Sequence, residues 1–277
     1  EWRGRIDIQG SSLFPLPMVR DPDFLDRIVG HVKAADGVLG AGVYPDPDLD
    51  GLLRTIIETA TRPGLDLDFH ADETADPSSD CLRHIAEAVL RSDHEGHVLV
   101  GHCCSLALQD AATADETLDK VAEASLSVVA LPACNLYLQD RRTDATTPRW
   151  RGVTLLHEMH DRGIQVSLAS DNIRDAFHAY GDLDMLDAFR LGTRVGHLDH
   201  PANDWIVTAT ANPARAMRMD DAGVLHAGSG ADFILFEGRS WSEILSRSES
   251  GRIVVRDGTP IAAPLPSYSE LDGLADA

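Results

Sequence analysis

Apolar positions along the chain follow two rhythms. Short alternating or unbroken apolar runs occupy residues 5–14, 38–43, 67–70, 97–102, 126–131 and 164–171, and each reads as a strand. Between them, apolar residues recur at helical spacing. Phe24, Leu25, Ile28, Val29 and Val32 share one face after Asp21-Pro22, and Gly37 ends that stretch. Leu52, Leu53, Ile56 and Ile57 do the same between Asp46-Pro47 and Pro63-Gly64. Further helices are predicted over 81–90, 118–124 and 153–161. Six strands alternating with helices predict an α/β fold with a parallel sheet.

The rhythm changes after Asp171. Residues 183–194 and 205–219 read as helices, with a turn or restart at Asn212-Pro213. Short strand-like runs follow at 223–225, 231–236 and 252–258. Residues 1–220 therefore read as one unit and 221–277 as a second, with a Pro-, Ser- and Ala-rich tail from Pro260 that has no period and is expected to be loosely ordered. There is no internal repeat.

Three strands end in a residue that can do chemistry. Leu67-Asp68-Phe69 runs into His70, with Glu73 in the loop beyond. His97-Val98-Leu99-Val100-Gly101 runs into His102, and the run from Ile164 ends at Asp171. In a barrel of parallel strands, this edge is where active sites are built from residues far apart in sequence. A neutral imidazole can ligate a divalent metal, and a carboxylate can ligate it or move a proton. One such stretch alone would read as a capped strand with a solvated Glu; three in succession argue for a site.

Composition narrows the partners. The formal net charge of −21 over 277 residues argues against nucleic acid, because a phosphate backbone needs a basic face. Lys33 and Lys120 are the only lysines. Either a GC-rich genome or a salt-adapted cytoplasm accounts for such a balance. No run approaches the roughly 20 apolar residues of a membrane span, so no membrane role is expected. Cys81, Cys103, Cys104 and Cys134 have neither disulfide-framework nor zinc-ribbon spacing, which favours reduced thiols and a cytoplasmic location. Cys103 and Cys104 read as small buried side chains. Arg174 and Asp175 read as a local ion pair, and Gly228-Ser229-Gly230 as a turn. His157, His160, His197 and His200 read as surface residues, since His157-Glu158-Met159-His160 is too short for a His-Glu-x-x-His zinc motif.

The ordered set His70-x-x-Glu73, Gly101-His102 and Ala169-Ser170-Asp171-Asn172-Ile173-Arg174-Asp175 resembles the amidohydrolase superfamily, and within it the cytosine deaminase branch. Asn135 to Arg141 is similar to that branch's loop after the seventh strand, and Arg149-Trp150-Arg151-Gly152 also matches. Triazine-ring amidohydrolases share the Ala169 to Asp175 pattern. The resemblance implies a TIM-type (β/α)₈ metallo-hydrolase barrel with part of a small β-sandwich at the C-terminal end. It implies one divalent ion, Fe²⁺ or Zn²⁺, held in part by His70 and Asp171. It gives Asp171 the proton of the attacking water, Glu73 the proton delivery to the ring nitrogen, and His102 the polarisation of the water or the developing oxyanion.

The family's first strand carries His-x-His, which this sequence lacks. By that pattern the chain matches strands three to eight, the C-terminal portion of a longer enzyme. It is then expected to bind metal weakly, to expose an open seam, and to form a homo-oligomer when full length. Glu73 favours a ring deaminase over an N-dealkylating hydrolase. Two positions at the substrate edge depart from cytosine recognition. Leu16 follows Phe14-Pro15 where the branch has Gln, and Asn172 stands where it has an acid. The expected substrate is therefore another amino-substituted heterocycle or cyclic amidine, bound near Leu16 and Asn172. The alternatives are a triazine-type amidohydrolase and an inactive fragment or binding remnant.

Overall fold

The structure is a computed structural model that describes residues 6–199, 205–219, 221–247, 251–262 and 267–275. Five parallel strands form one sheet in the order of the chain: β1 (Leu39–Val43), β2 (Leu67–Ala71), β3 (Val98–His102), β4 (Ser127–Ala130) and β5 (Gln165–Leu168). Every neighbouring pair is parallel. Each crossover passes through a helix: α2 (Leu49–Thr61), α3 (Cys81–Leu90), α4 (Ala111–Glu123), then α5 (Pro132–Leu138) and α6 (Leu156–Asp161) together. α1 (Pro22–Ala34) precedes β1 and is capped by Asp21, whose carboxylate accepts from the amides of Asp23 and Phe24.

Each strand buries one face under these helices. Leu39, Ala41, Val43, Leu67, Phe69, Val100 and Val128 are at most 1% exposed. Leu53, Ile56, Ile57, Ile85, Leu118 and Val121 of the helices are fully buried as well. This continuous apolar layer is the main stabilising feature, since each such side chain contributes roughly 1.5–3 kcal/mol on burial. On the opposite face, Gly42 and His70 are register partners.

Several elements differ from the sequence reading. Residues 6–14 do not form a regular strand, although Ser11 and Pro15 bridge in parallel to Val38 and Gly42. The ladder is interrupted because the Ser12 hydroxyl, not a carbonyl, accepts from the Gly40 amide (2.9 Å). β5 stops at Leu168, so Asp171 sits in the following loop. α5 takes up part of the stretch that the family resemblance places in a loop. The predicted helix over 205–219 is two pieces, a 3₁₀ turn (Ile206–Ala209) and α8 (Ala211–Ala216), broken at Thr210 with φ −132° and ψ −92°. α7 (Met185–Gly196) begins two residues later than expected.

The chain divides into two units, Glu1–Gly223 and Val224–Ala277. The second contains an antiparallel sheet of β6 (Phe233–Phe236), β7 (Arg252–Arg256) and β8 (Thr259–Pro260), with α9 (Trp241–Ser246) between the first two strands. Residues 223–225 form no strand, and the tail carries a 3₁₀ turn (Tyr268–Leu271) and a short helix (Asp272–Ala275) where none was expected. Among the described residues, no helix is long and apolar enough to cross a membrane.

Candidate active site

The C-terminal ends of β1, β2, β3 and the loop after β5 enclose a cleft of about 310 Å³. Leu13, Phe14, Pro15, Tyr44, Leu138 and Phe177 give it apolar and aromatic walls, and His70, Glu73, His102, Asp171 and Asn172 supply its polar groups. The cleft thus gathers His70, Glu73, His102, Asp171 and Asn172 from separate stretches of the chain.

Leu16 is a correction. It lies in a 3₁₀ turn (Leu16–Arg20), is 1% exposed, and does not line the cleft. Proline on both sides turns its side chain into the core, and Leu13, Phe14 and Pro15 form that wall.

The loop between β2 and α3 is held by Asp72. Its carboxylate accepts from the Ser79 hydroxyl (2.7 Å) and from the amides of Cys81 (3.0 Å) and Leu82 (2.8 Å) at the start of α3. A buried anion is therefore placed on the positive end of a helix, and its neighbour Glu73 is aimed at the cleft. Gln139 adds a second tie, donating to the Glu73 carbonyl at 3.3 Å. Asp72, His102 and Asp171 all have φ between 57° and 71°, the left-handed region that non-glycine residues seldom adopt. Three such residues in one loop cluster indicate backbone held in place by its surroundings.

His102 is buried and central. Its Nδ1 lies 3.1 Å from Asn135 Oδ1 and 3.5 Å from Glu73 Oε1, and its Nε2 lies 3.2 Å from His70 Nδ1. Burial pushes its pKa below the usual imidazole value, although the Asn135 hydrogen bond and the charge of Asp171 act against this, so the ring is neutral near pH 7. Burial and then the Asp171 charge push the Glu73 carboxyl up to about 7, with His70 opposing. Glu73 is therefore poised to give and take a proton at neutral pH.

Asp171 and Glu73 each have a buried carboxylate oxygen with no hydrogen-bond partner, Oδ2 and Oε1. Orphaned acceptors beside two imidazoles suit a cation. Nitrogen and carboxylate donors are the kind that first-row divalent metals take. Among the described residues no group of three or more His, Cys, Asp and Glu is arranged to hold a metal ion. His70, Glu73, His102 and Asp171 are the nitrogen and carboxylate groups that line the cleft.

The loop after β5 is internally braced. Asn172 donates to Asp175 (2.5 Å), Asp175 accepts from the amides of Phe177 and His178 (both 2.9 Å), and His178 Nδ1 contacts the Asn172 carbonyl (2.9 Å). Arg174, expected to pair with Asp175, reaches Asp182 at 3.6 Å. The rings of Tyr137, His178 and Tyr180 pack edge to face.

Cys103 and Cys104 are fully buried, and burial pushes both thiols well up, so neither is a nucleophile. His157 and His160 lie away from the cleft against the buried Trp205 ring, with centroids 5.0 and 4.7 Å away. His200 lies outside the described residues.

Tyr44, a cleft residue the motif does not include, follows β1 with 63% of its surface exposed, and Asn135, buried on α5, stands behind His102. A Cβ placed on Gly42 would lie 3.2 Å from Tyr44 Cε2 and 3.5 Å from its hydroxyl. The ring thus folds back over the strand end, where a side chain at position 42 would press on it.

Comparison with known proteins agrees with this arrangement. Residues 27–262 match the model of the family described as Amidohydrolase family. A pterin deaminase from Rhizobium rhizogenes is 47% identical over 276 residues, covering 100% of this chain and 63% of that protein. The chain thus spans less than two thirds of that relative's length. Among solved structures, 5-methylcytosine deaminase from Klebsiella pneumoniae liganded with 5-fluorocytosine superposes with a TM-score of 0.81 at 22% identity, covering 95% of this chain and 64% of that one. N-isopropylammelide isopropylaminohydrolase from Burkholderia multivorans gives a TM-score of 0.75 at 21% identity, covering 94% and 64%. These structures share the fold. With a family match over residues 27–262 and a relative 47% identical across the whole chain, the chain belongs to the amidohydrolase family.

Proposed function

We propose that the whole protein is a cytoplasmic, metal-dependent hydrolase that removes the exocyclic amine of a pterin or closely similar amino-substituted heterocycle as ammonia. The observation that carries this reading is the facing pair of Glu73, ionising at about 7, and Asp171, beside His70 and His102 in an aromatic-walled cleft. A ring carbon between nitrogens resists attack by water. It needs a strong nucleophile on one side and an acid at the adjacent ring nitrogen on the other.

His70 and Asp171 would hold a divalent cation, and that cation supplies a water acidified toward neutral pH. Asp171 accepts a proton from the attacking water. Glu73 protonates the ring nitrogen as the carbon becomes tetrahedral, and the proton returned through the carboxylates leaves on the departing amine as ammonia. The bond from carbon to the exocyclic nitrogen breaks and an oxo group replaces it. His102, neutral and buried, orients His70 and Glu73 around the reacting centre. Tyr44, Phe14 and Phe177 offer flat surfaces to a bicyclic ring. The buried Leu16 offers no hydrogen bond, so the paired contacts a cytosine edge would need are not supplied there.

The test is ammonia release by the full gene product, supplied with Fe²⁺ or Zn²⁺, from a panel of pterin, cytosine, guanine, N-alkylated triazines and cyclic amidines. Pterin is expected to lead. Cytosine or an N-alkylated triazine leading by a wide margin would overturn the substrate assignment.

A further inference from the structure

We infer that Asn135 is a positioning residue that sets the proton arrangement of two histidines in series, and so leaves His70 Nε2 unprotonated. Asn135 is 2% exposed, on α5, and presents Oδ1 to His102 Nδ1 at 3.1 Å. A carbonyl oxygen only accepts, so Nδ1 must carry the proton. The second neighbour of Nδ1 is also an oxygen, Glu73 Oε1 at 3.5 Å, which favours the same tautomer.

A neutral ring protonated on Nδ1 has a bare Nε2. That nitrogen lies 3.2 Å from His70 Nδ1, so His70 Nδ1 donates the proton between them. His70 is then itself the Nδ1–H tautomer, with its lone pair on Nε2. His70 meets His102 through Nδ1, and its ring lines the cleft. An imidazole whose outer nitrogen is tied down and whose other nitrogen is bare is the form a metal ligand needs. The amide of one helix thus prepares a donor two strands away, through His102, at the edge where the cleft opens. The inference rests on the reading that the cleft takes a divalent cation, but the proton arrangement is measurable without one.

The experiment is long-range proton–nitrogen correlation NMR on the ¹⁵N-labelled full gene product, with a parallel Zn²⁺ titration. In the unaltered protein both His102 and His70 should carry the proton on Nδ1. Asn135→Asp keeps the acceptor and should keep that pattern. Asn135→Ala should scramble both tautomers and weaken Zn²⁺ affinity by roughly 10–100-fold. A proton on His102 Nε2 in the unaltered protein, or tautomers indifferent to Asn135→Ala, would overturn the inference. If the Ala variant fails to fold, the spectra of the unaltered protein and the Asp variant still decide. The expected tautomers with no Zn²⁺ taken up would overturn the cation reading alone.

Discussion

His102 Nε2 and His70 Nδ1 stand 3.2 Å apart, joining the ends of two adjacent strands into one hydrogen-bonded unit. β2 and β3 hold them there, with Ala71 and His102 as register partners. Replacing His70 by Asn should therefore disturb His102 as well as metal uptake. Elemental analysis of His70→Asn is expected to show reduced metal, and the His102 nitrogen signals should shift. Unchanged metal content would remove His70 from the ligand set.

Glu73→Gln keeps size and shape but cannot deliver a proton. Turnover should fall by about 10²–10⁴-fold with metal content unchanged. Activity restored by excess metal would instead make Glu73 a ligand.

The same carboxyl links stability to pH. Glu73 ionises at about 7 in the fold, raised from an ordinary 4.5, because burial and Asp171 disfavour its charge. The stability contributed by its protonated form is complete below pH 4.5 and is lost as pH rises through 7. Glu73→Gln should therefore unfold like the unaltered protein at low pH and be the more stable of the two above pH 7, read by urea titration at several pH values. In Asp171→Asn, carboxyl titration by ¹³C NMR should find the Glu73 pKa lower. A Glu73 pKa insensitive to Asp171 would separate the two groups.

Asp72→Ala removes one carboxylate from three donors at the start of α3. Loss of a charged cap and the buried donors left behind should cost about 2–4 kcal/mol in urea unfolding. A loss under about 0.5 kcal/mol would show that Asp72 does not anchor the loop carrying Glu73.

The strands bearing His70 and His102 were legible because an apolar run breaks at a polar, chemically capable residue. Asp171 was legible by motif, though it sits beyond its strand. Asn135 was hidden: Pro132 ends a strand and opens a helix of seven residues, too short to show a period. Tyr44 was hidden because its position depends on Gly42 lacking a side chain, a matter of packing. Leu16 was misplaced because a motif gives a position along the chain but not which way the side chain turns. The irregular first strand arose from a hydroxyl taking a carbonyl's place at Ser12, which no propensity records.

Gly42 makes Tyr44 testable from the backbone side. Gly42→Ala should push the ring outward and raise KM for the heterocycle, as Tyr44→Ala should, with kcat changed less than KM. Steady-state kinetics with unaffected KM in both variants would exclude the ring from binding.

The central claim is that the Glu73 and Asp171 cleft hydrolyses an exocyclic amine from a pterin-like ring. Ammonia release from pterin should be measured in the metal-supplied full gene product alongside its Glu73→Gln variant. The unaltered protein should give stoichiometric ammonia and the oxo product, and the variant should be slower by about 10²-fold or more. Pterin left intact by the unaltered protein, or turned over equally fast by both, would contradict it.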